Sequence, residues 1–351
     1  MASRRGLTWL ESTRLASLPW LVHAWSTRRG GISRAGGSPA DLHGLDGPND
    51  LNLGFVPSDQ PARVQRNRTR FLEAIGAGTF ALATLHQVHS AQIFEVRLTQ
   101  GRLEYSPAGA GIPRGSALGA ARVGLPRPKR APGTAPPKAS PMSQRTPNPE
   151  ARKPAGCAGD ALLTNEPGVL LSVRVADCMP ILMVDPRLRA IAAVHAGWRG
   201  AARRLVAKSV GEMRRVFGSR TRDVLVAIGP SIRACCYEVG EEVMDAFAGR
   251  FAASDSYFHE APPDPQARAL SQKYPLLFLT AQPPGHGPQG DPAIHLDLVA
   301  VARDQLHAAG VPPSNIEVAD FCTACHTDFF FSHRQEGETG RAMAVIGIER
   351  D

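Results

Sequence analysis

A chain of 351 residues, 43% of them hydrophobic and with a mean hydropathy of -0.18, can bury one large core or two ordinary ones, and no window of it nears the roughly 20 apolar residues of a membrane-spanning helix. Six cysteines in a chain this size, with arginines but no uninterrupted apolar run near the start, point to thiols or metal ligands in a cytoplasmic protein rather than to a secreted disulfide framework. The formal charge of +8 does not mark a nucleic-acid groove, because residues 106–155 hold nine Lys or Arg against one acidic residue, Glu150, and so carry the whole excess.

The first hundred residues give two short segments, "LVHAWSTRRGG" and "DLNLGF", then a helix over 61–75 and the stretch "TFALATLHQVHSAQIFEV". His86 and His89 lie on a strand-like part of that stretch, where their odd separation sets them on opposite faces. The basic segment follows. It contains eleven of the thirty prolines and no aromatic residue, shows no hydrophobic period, and cannot bury enough apolar surface to offset its ordering entropy. Residues 106–155 therefore read as a disordered insertion, a linker or a loop, and its charge leaves a polybasic tether as the functional alternative.

Next comes "VLLSVRVADCMPILMVDPRLRAIAAVHAGWRG". Residues 169–176, 180–184 and 190–195 read as strands, with Asp185-Pro186 opening the turn between the last two. Apolar runs this continuous suit strands covered on both faces. After His195 the period changes. Trp198, Ala201, Ala202, Leu205, Val206, Val210, Met213 and Phe217 follow helical spacing. "HAGWRG" is thus a strand-to-helix junction, and the free backbone N–H groups of a helix start suit an anion. Further elements are a strand over 223–230, a helix over 241–253, a Pro/Gly-rich stretch over 261–292 and a helix over 295–311 stopped by Gly310 and Pro312. "IEVAD", "DFFFSHR" and "RAMAVIGI" read as closing strands. Such irregular alternation fits a mixed-sheet α/β or α+β fold.

Three features can carry chemistry. If the strands around "DPRLR" pair as a hairpin, Cys178 and His195 reach the same sheet end, and with His86 or His89 they make a Cys-His-His set for zinc or copper. A fourth position left open marks a catalytic rather than a structural site. In "GPSIRACCYEVG", Glu238 is either a charge favourable to the following helix or a site carboxylate, while Cys235 and Cys236 read as packing residues. "CTACH" (322–326) matches the c-type haem attachment pattern, which needs export, and otherwise offers a Cys/Cys zinc site. In the bland alternative Cys178 and His195 are core residues of a non-enzymatic binding module.

The motifs "STRRGG", "NLGF", "HQVHSA", "GDALLT", "ADCMPILMVD", "AVHAGWRG", "IGPSIRACCYEVG", "HLDL" and "CT…FFFSHR" stand in the order seen in the laccase-domain family, whose members are called polyphenol oxidases or purine nucleoside phosphorylases. The chain resembles that family over about residues 20–348, apart from insertions at 106–155 and around 278–291. The resemblance implies one catalytic α/β domain over residues 1–351, with mixed sheets flanked by helices and the insertion inside it. It implies a metal site of His89, Cys178 and His195, with zinc bound and copper as the alternative, and takes His86 out of the ligand set. It implies phosphorolysis of adenosine, inosine, guanosine and methylthioadenosine, with adenosine deamination beside it. The small-molecule partners are then a nucleoside and phosphate. Arg28, Arg199 and Arg334 are the candidates for binding phosphate, with Glu238 as a further substrate contact. Two other activities go with the family: copper-dependent oxidation of phenols and editing of peptidoglycan precursors. A multicopper site asks for repeated His-x-His patterns, and the eleven histidines here are scattered. Arg233 stands where the family usually has Gly, and Gln335 follows "SHR" where a second Arg is common. Both departures bear on substrate preference.

Overall fold

Alternation along two neighbouring strands sets the layers. In Met179–Asp185 and Ala190–Ala196, the side chains of Ile181, Met183, Ala192 and Val194 pack with helices Leu205–Phe217 and Leu298–Ala308, while Leu182, Val184, Ile191 and Ala193 pack against Leu171, Ala344 and Ile346 of a second sheet. Successive strand side chains point to opposite faces, so a strand that is apolar throughout is one sandwiched between a sheet and helices. The computed structural model describes residues 1–33, 49–108, 157–251, 253–261 and 293–350.

The seven-stranded sheet runs Ile316–Val318, Leu225–Ile228, Met179–Asp185, Ala190–Ala196, Ala161–Thr164, Ile93–Thr99, Arg102–Pro107. The six-stranded sheet runs Ala2–Arg4, Leu7–Leu10, Leu21–Ser26, Ala342–Ile348, Val169–Val175, Ala81–Ala83. Each contains both parallel and antiparallel pairs, so the fold is mixed α/β. Glu238–Val239, Ala293–Leu296 and Phe258–Ala261 form a small third sheet. Helix Pro61–Ala74 contributes Phe71 and Ala74 to a cluster that also holds Leu170 and Val345 of the six-stranded sheet. No described helix is long and apolar enough to cross a membrane.

Several boundaries differ from the sequence reading. The helix expected after Trp198 is two helices, Trp198–Ala202 and Leu205–Phe217, broken where Arg204 takes a left-handed φ of 60°; a hydrophobic period does not register one such residue. The helix begun at 295 starts instead at Leu298, because residues up to Leu296 add to the third sheet and the Asp297 carboxylate caps the N–H groups of Val299 and Ala300. The helix over 241–253 ends at Phe247, where Ala248 turns extended. "DFFFSHR" is not a strand: Ser332 caps the short helix His333–Glu336, accepting from the Gln335 N–H while the Glu336 carboxylate accepts from the Ser332 N–H. Phe330 and Phe331 are apolar because they are buried. The stretch holding His86 and His89 is a loop.

The insertion begins later than composition suggests. Ser106 and Pro107 pair with Glu95 and Phe94 as the end of an edge strand, and the rest of the basic segment, like most of the Pro/Gly-rich stretch after 261, lies outside the described residues. Because the segment holds charge but no apolar period, replacing 109–155 with a short Gly/Ser linker is expected to leave the melting temperature nearly unchanged, as checked by calorimetry. A large fall in melting temperature would show that the segment packs on the fold.

Candidate functional site

The hairpin of Met179–Asp185 and Ala190–Ala196 pairs Pro180 with His195 and Met179 with Ala196. Cys178, one residue before the first strand, therefore arrives at the same sheet end as His195. The loop after Ala81–Ala83 brings His89 to them from almost ninety residues away. One ligand atom from each of His89, Cys178 and His195 lies within 4.8 Å of the others, and Cys178 Sγ is 3.7 Å from His89 Nε2. His195 is buried, Cys178 half-buried and His89 exposed, so the group faces solvent from a fixed floor.

Asp160, fully buried just before strand Ala161–Thr164, holds this arrangement together. Its carboxylate pairs with His195 Nδ1 at 2.8 Å and accepts from the backbone N–H of His89 at 3.0 Å, the N–H of Ser90 and the Ser90 hydroxyl at 2.7 Å. Occupying Nδ1 leaves Nε2 as the nitrogen of His195 free to bind. A carboxylate behind a ligating imidazole is the usual outer support of a metal site. Burial would raise the Asp160 pKa, but the hydrogen bonds from His195 and Ser90 hold it below the ordinary value. Burial would likewise raise the Cys178 thiol, yet the neighbouring His195 and His89 bring it down to about 6; His195, against its own burial, rises to about 9 beside Cys178 and Asp160. In the metal-free protein the pair is thus a thiolate and an imidazolium near neutral pH.

The donor set fits a metal. A thiolate and two imidazoles suit zinc or copper, and the space between them is kept by Gly197, where a Cβ would stand 2.8 Å from Cys178 Sγ and 3.1 Å from His89 Cδ2. His89 and Asp177 both adopt left-handed backbone, φ 54° and 87°. Such strained non-glycine residues collect at functional sites.

The group opens on a cleft of about 700 Å³. Arg174, Arg199, Arg334 and Arg341 line it, together with Trp198 and Tyr237. Of the residues expected from sequence, Arg199 is exposed and lies over the Trp198 ring, 4.2 Å from its centroid. Arg334 is anchored through its N–H to Asp177 Oδ2 at 2.7 Å and through Nη1 to the Glu238 carbonyl. Glu238, expected as a substrate contact, is not among the described cleft walls; its backbone carbonyl holds Arg334 instead. Arg28 is elsewhere: its guanidinium pairs with Asp50 and Glu336 and donates to the Thr327 carbonyl, beside a separate depression. His86, set aside as a ligand, still forms part of the cleft wall. Neither departure from the family pattern is among the described cleft walls: Arg233 holds the carbonyls of Ala319 and Phe321, and Gln335 faces the depression beside Arg28.

Sequence reasoning missed Asp160, Arg174, Arg341 and Tyr237. A signal existed for two of them. Asp160 is a charge at the mouth of the buried strand "ALLT", and Arg174 interrupts the apolar strand "VLLSVRV".

The model of the multi-copper polyphenol oxidoreductase laccase family matches residues 22–126 and 140–349. A purine nucleoside phosphorylase of Bacteroides thetaiotaomicron is 36% identical over 192 residues, 54% of this chain and 61% of that protein. An adenosine deaminase from an unknown prokaryotic organism is 35% identical over 188 residues, 53% of this chain and 61% of that protein. The matched region thus spans about six tenths of the length of these relatives. The crystal structure of YlmD from Geobacillus stearothermophilus superposes with a TM-score of 0.63 at 26% identity, covering 100% of this chain and 98% of that one.

Proposed function

The chain belongs to the multi-copper polyphenol oxidoreductase laccase family, and from that premise we propose that it is a purine nucleoside phosphorylase, acting on adenosine, inosine, guanosine and methylthioadenosine, with adenosine deamination as a second activity of the same cleft. The observation that carries this reading is the meeting of four arginines and the His89–Cys178–His195 group in one cleft. Arginine forks match phosphate oxygens in a way that lone ammonium groups do not. The faces of Trp198 and Tyr237 offer apolar surface to a purine, and burial pushes the Tyr237 hydroxyl up, so it stays protonated.

In phosphorolysis a phosphate oxygen bonds to the anomeric carbon as the bond to the purine nitrogen breaks. The bonding pair leaves with the base, which takes a proton, giving free purine and ribose 1-phosphate. Arg174, Arg199, Arg334 and Arg341 would bind and orient the phosphate, which removes much of the entropy barrier to attack. In deamination water adds to the purine carbon and ammonia leaves. His89, Cys178 and His195 would hold zinc, which supplies a Lewis acid to polarise a substrate atom or a water. Asp160 keeps two of those three donors in position throughout. Among the described residues this is the one histidine-containing ligand group, which favours the nucleoside reading over a multicopper oxidase.

The test is product analysis. Purified protein with adenosine and phosphate should release adenine and ribose 1-phosphate, with some inosine. Protein that left nucleosides untouched and oxidised phenols only when loaded with copper would sink the reading. Arg199→Ala separates the two nucleophiles: the KM for phosphate should rise on the order of 10-fold, the worth of one charge-assisted hydrogen bond, while deamination stays within about twofold. An equal loss in both reactions would instead make Arg199 a nucleoside contact.

A further inference from the structure

Four cysteines outside this site converge on its rim. Cys235 and Cys236 lie on the loop between strands Leu225–Ile228 and Glu238–Val239; Cys322 and Cys325, spaced Cys-x-x-Cys, lie on the loop after strand Ile316–Val318. Their sulfurs all fall within 4.8 Å of one another. Cys325 Sγ is 3.6 Å from that of Cys235 and 3.3 Å from that of Cys236. Those separations are far beyond a disulfide bond of about 2.05 Å. They approach the edge of roughly 3.8 Å that follows for a tetrahedron with metal–sulfur bonds of about 2.3 Å.

The backbone around the group holds its buried sulfur and ties the two loops together. The backbone N–H groups of Cys325 and Arg233 hydrogen-bond to Cys322, the buried member. The two loops are registered to each other: Ser231 bridges Cys322, and the Thr323 N–H donates to the Ser231 carbonyl at 3.1 Å. Cys236 is half-buried, and Cys235 and Cys325 are exposed, so an ion can enter from solvent onto a preformed floor.

We propose that Cys235, Cys236, Cys322 and Cys325 form a structural tetrathiolate zinc site, distinct from the His89–Cys178–His195 group. Four sulfur ligands close the coordination shell and leave no position for substrate, which is the mark of a structural rather than a catalytic centre. Its consequence reaches the cleft. Tyr237, a cleft wall, follows Cys236 directly, and Thr323, next to Cys322, donates its hydroxyl to Asp177 Oδ1 at 2.6 Å, beside Cys178. A metal here would staple both loops and so fix that side of the pocket.

The experiment counts zinc in the purified full chain by elemental analysis. The wild type should hold two equivalents, Cys178→Ala one, and Cys235→Ser/Cys325→Ser one. Cobalt-loaded Cys178→Ala protein should show the intense thiolate-to-cobalt charge-transfer bands of a tetrathiolate centre, which the added serine substitutions remove. If the serine variant fails to fold, the wild type still decides the matter: a mercurial thiol reagent should release one zinc in step with modification of these four cysteines, mapped by mass spectrometry. Cys178→Ala protein free of zinc, with all four thiols titrating in native buffer, would overturn the proposal, as would a mass lower by two hydrogens from a disulfide between the loops. Nucleoside turnover is not the readout, so the outcome stands apart from the phosphorylase assignment.

Discussion

His195→Ala protein is expected to lose phosphorolysis and deamination together, each by on the order of 10²- to 10⁴-fold in kcat/KM. His195 is 4% exposed and sits at the end of a strand buried along its whole length. Its Nδ1 is taken by Asp160, and the side chain completes the ligand group. Alanine removes one of the three proposed metal donors and leaves Cys178 without its main charge partner, so zinc content should fall by one equivalent per chain while the fold is kept. The measurement is kcat/KM for each reaction on the same preparation, with metal counted in parallel. Retention of phosphorolysis with loss of deamination would show that the two reactions do not share a site.

The second large effect belongs to Asp160, fully buried behind the cleft. Asp160→Asn should weaken zinc binding roughly 10- to 100-fold, the usual cost of losing an outer carboxylate behind a ligating histidine, and lower stability by about 3 kcal/mol. The carboxylate answers four donors from His89, Ser90 and His195. An amide presents one oxygen and one NH₂ group in the same space, so the NH₂ side faces N–H groups and leaves a buried donor unmet. Competition with a chromophoric chelator gives the affinity, and urea unfolding of the metal-free protein gives the stability. A variant that lost stability but bound zinc as tightly as the wild type would make Asp160 a purely structural residue.

The centre of this protein is legible in its sequence because it is local. The runs 169–175, 179–185 and 190–196 are apolar at nearly every position, and only strands buried on both faces need that pattern. The Asp185-Pro186 turn makes the last two antiparallel neighbours, which carries Cys178 and His195 to one sheet end. That placement needs a reach of only seventeen residues and no knowledge of the rest of the chain. Element ends were less legible, since one left-handed residue at Arg204 or one side-chain cap at Ser332 redirects the chain without changing its hydrophobic period.

What crosses long separations was decided by the tertiary structure. Strand alternation treats His86 and His89 as equivalent opposites; the fold makes their stretch a loop, and Asp160, seventy-one residues on, fixes the backbone of His89. Four arginines share a cleft while Arg28, in an equally suggestive motif, is neutralised by Asp50 and Glu336. A guanidinium taken out of water needs a carboxylate, backbone carbonyls or a wet cleft, and which of these it meets depends on segments far away in the chain, as with Glu336 for Arg28. The four cysteines follow the same rule: spacing shows a Cys-Cys pair and a Cys-x-x-Cys pair, but only the parallel pairing of Leu225–Ile228 with Ile316–Val318 sets the two loops side by side and brings the sulfurs within 4.8 Å of one another.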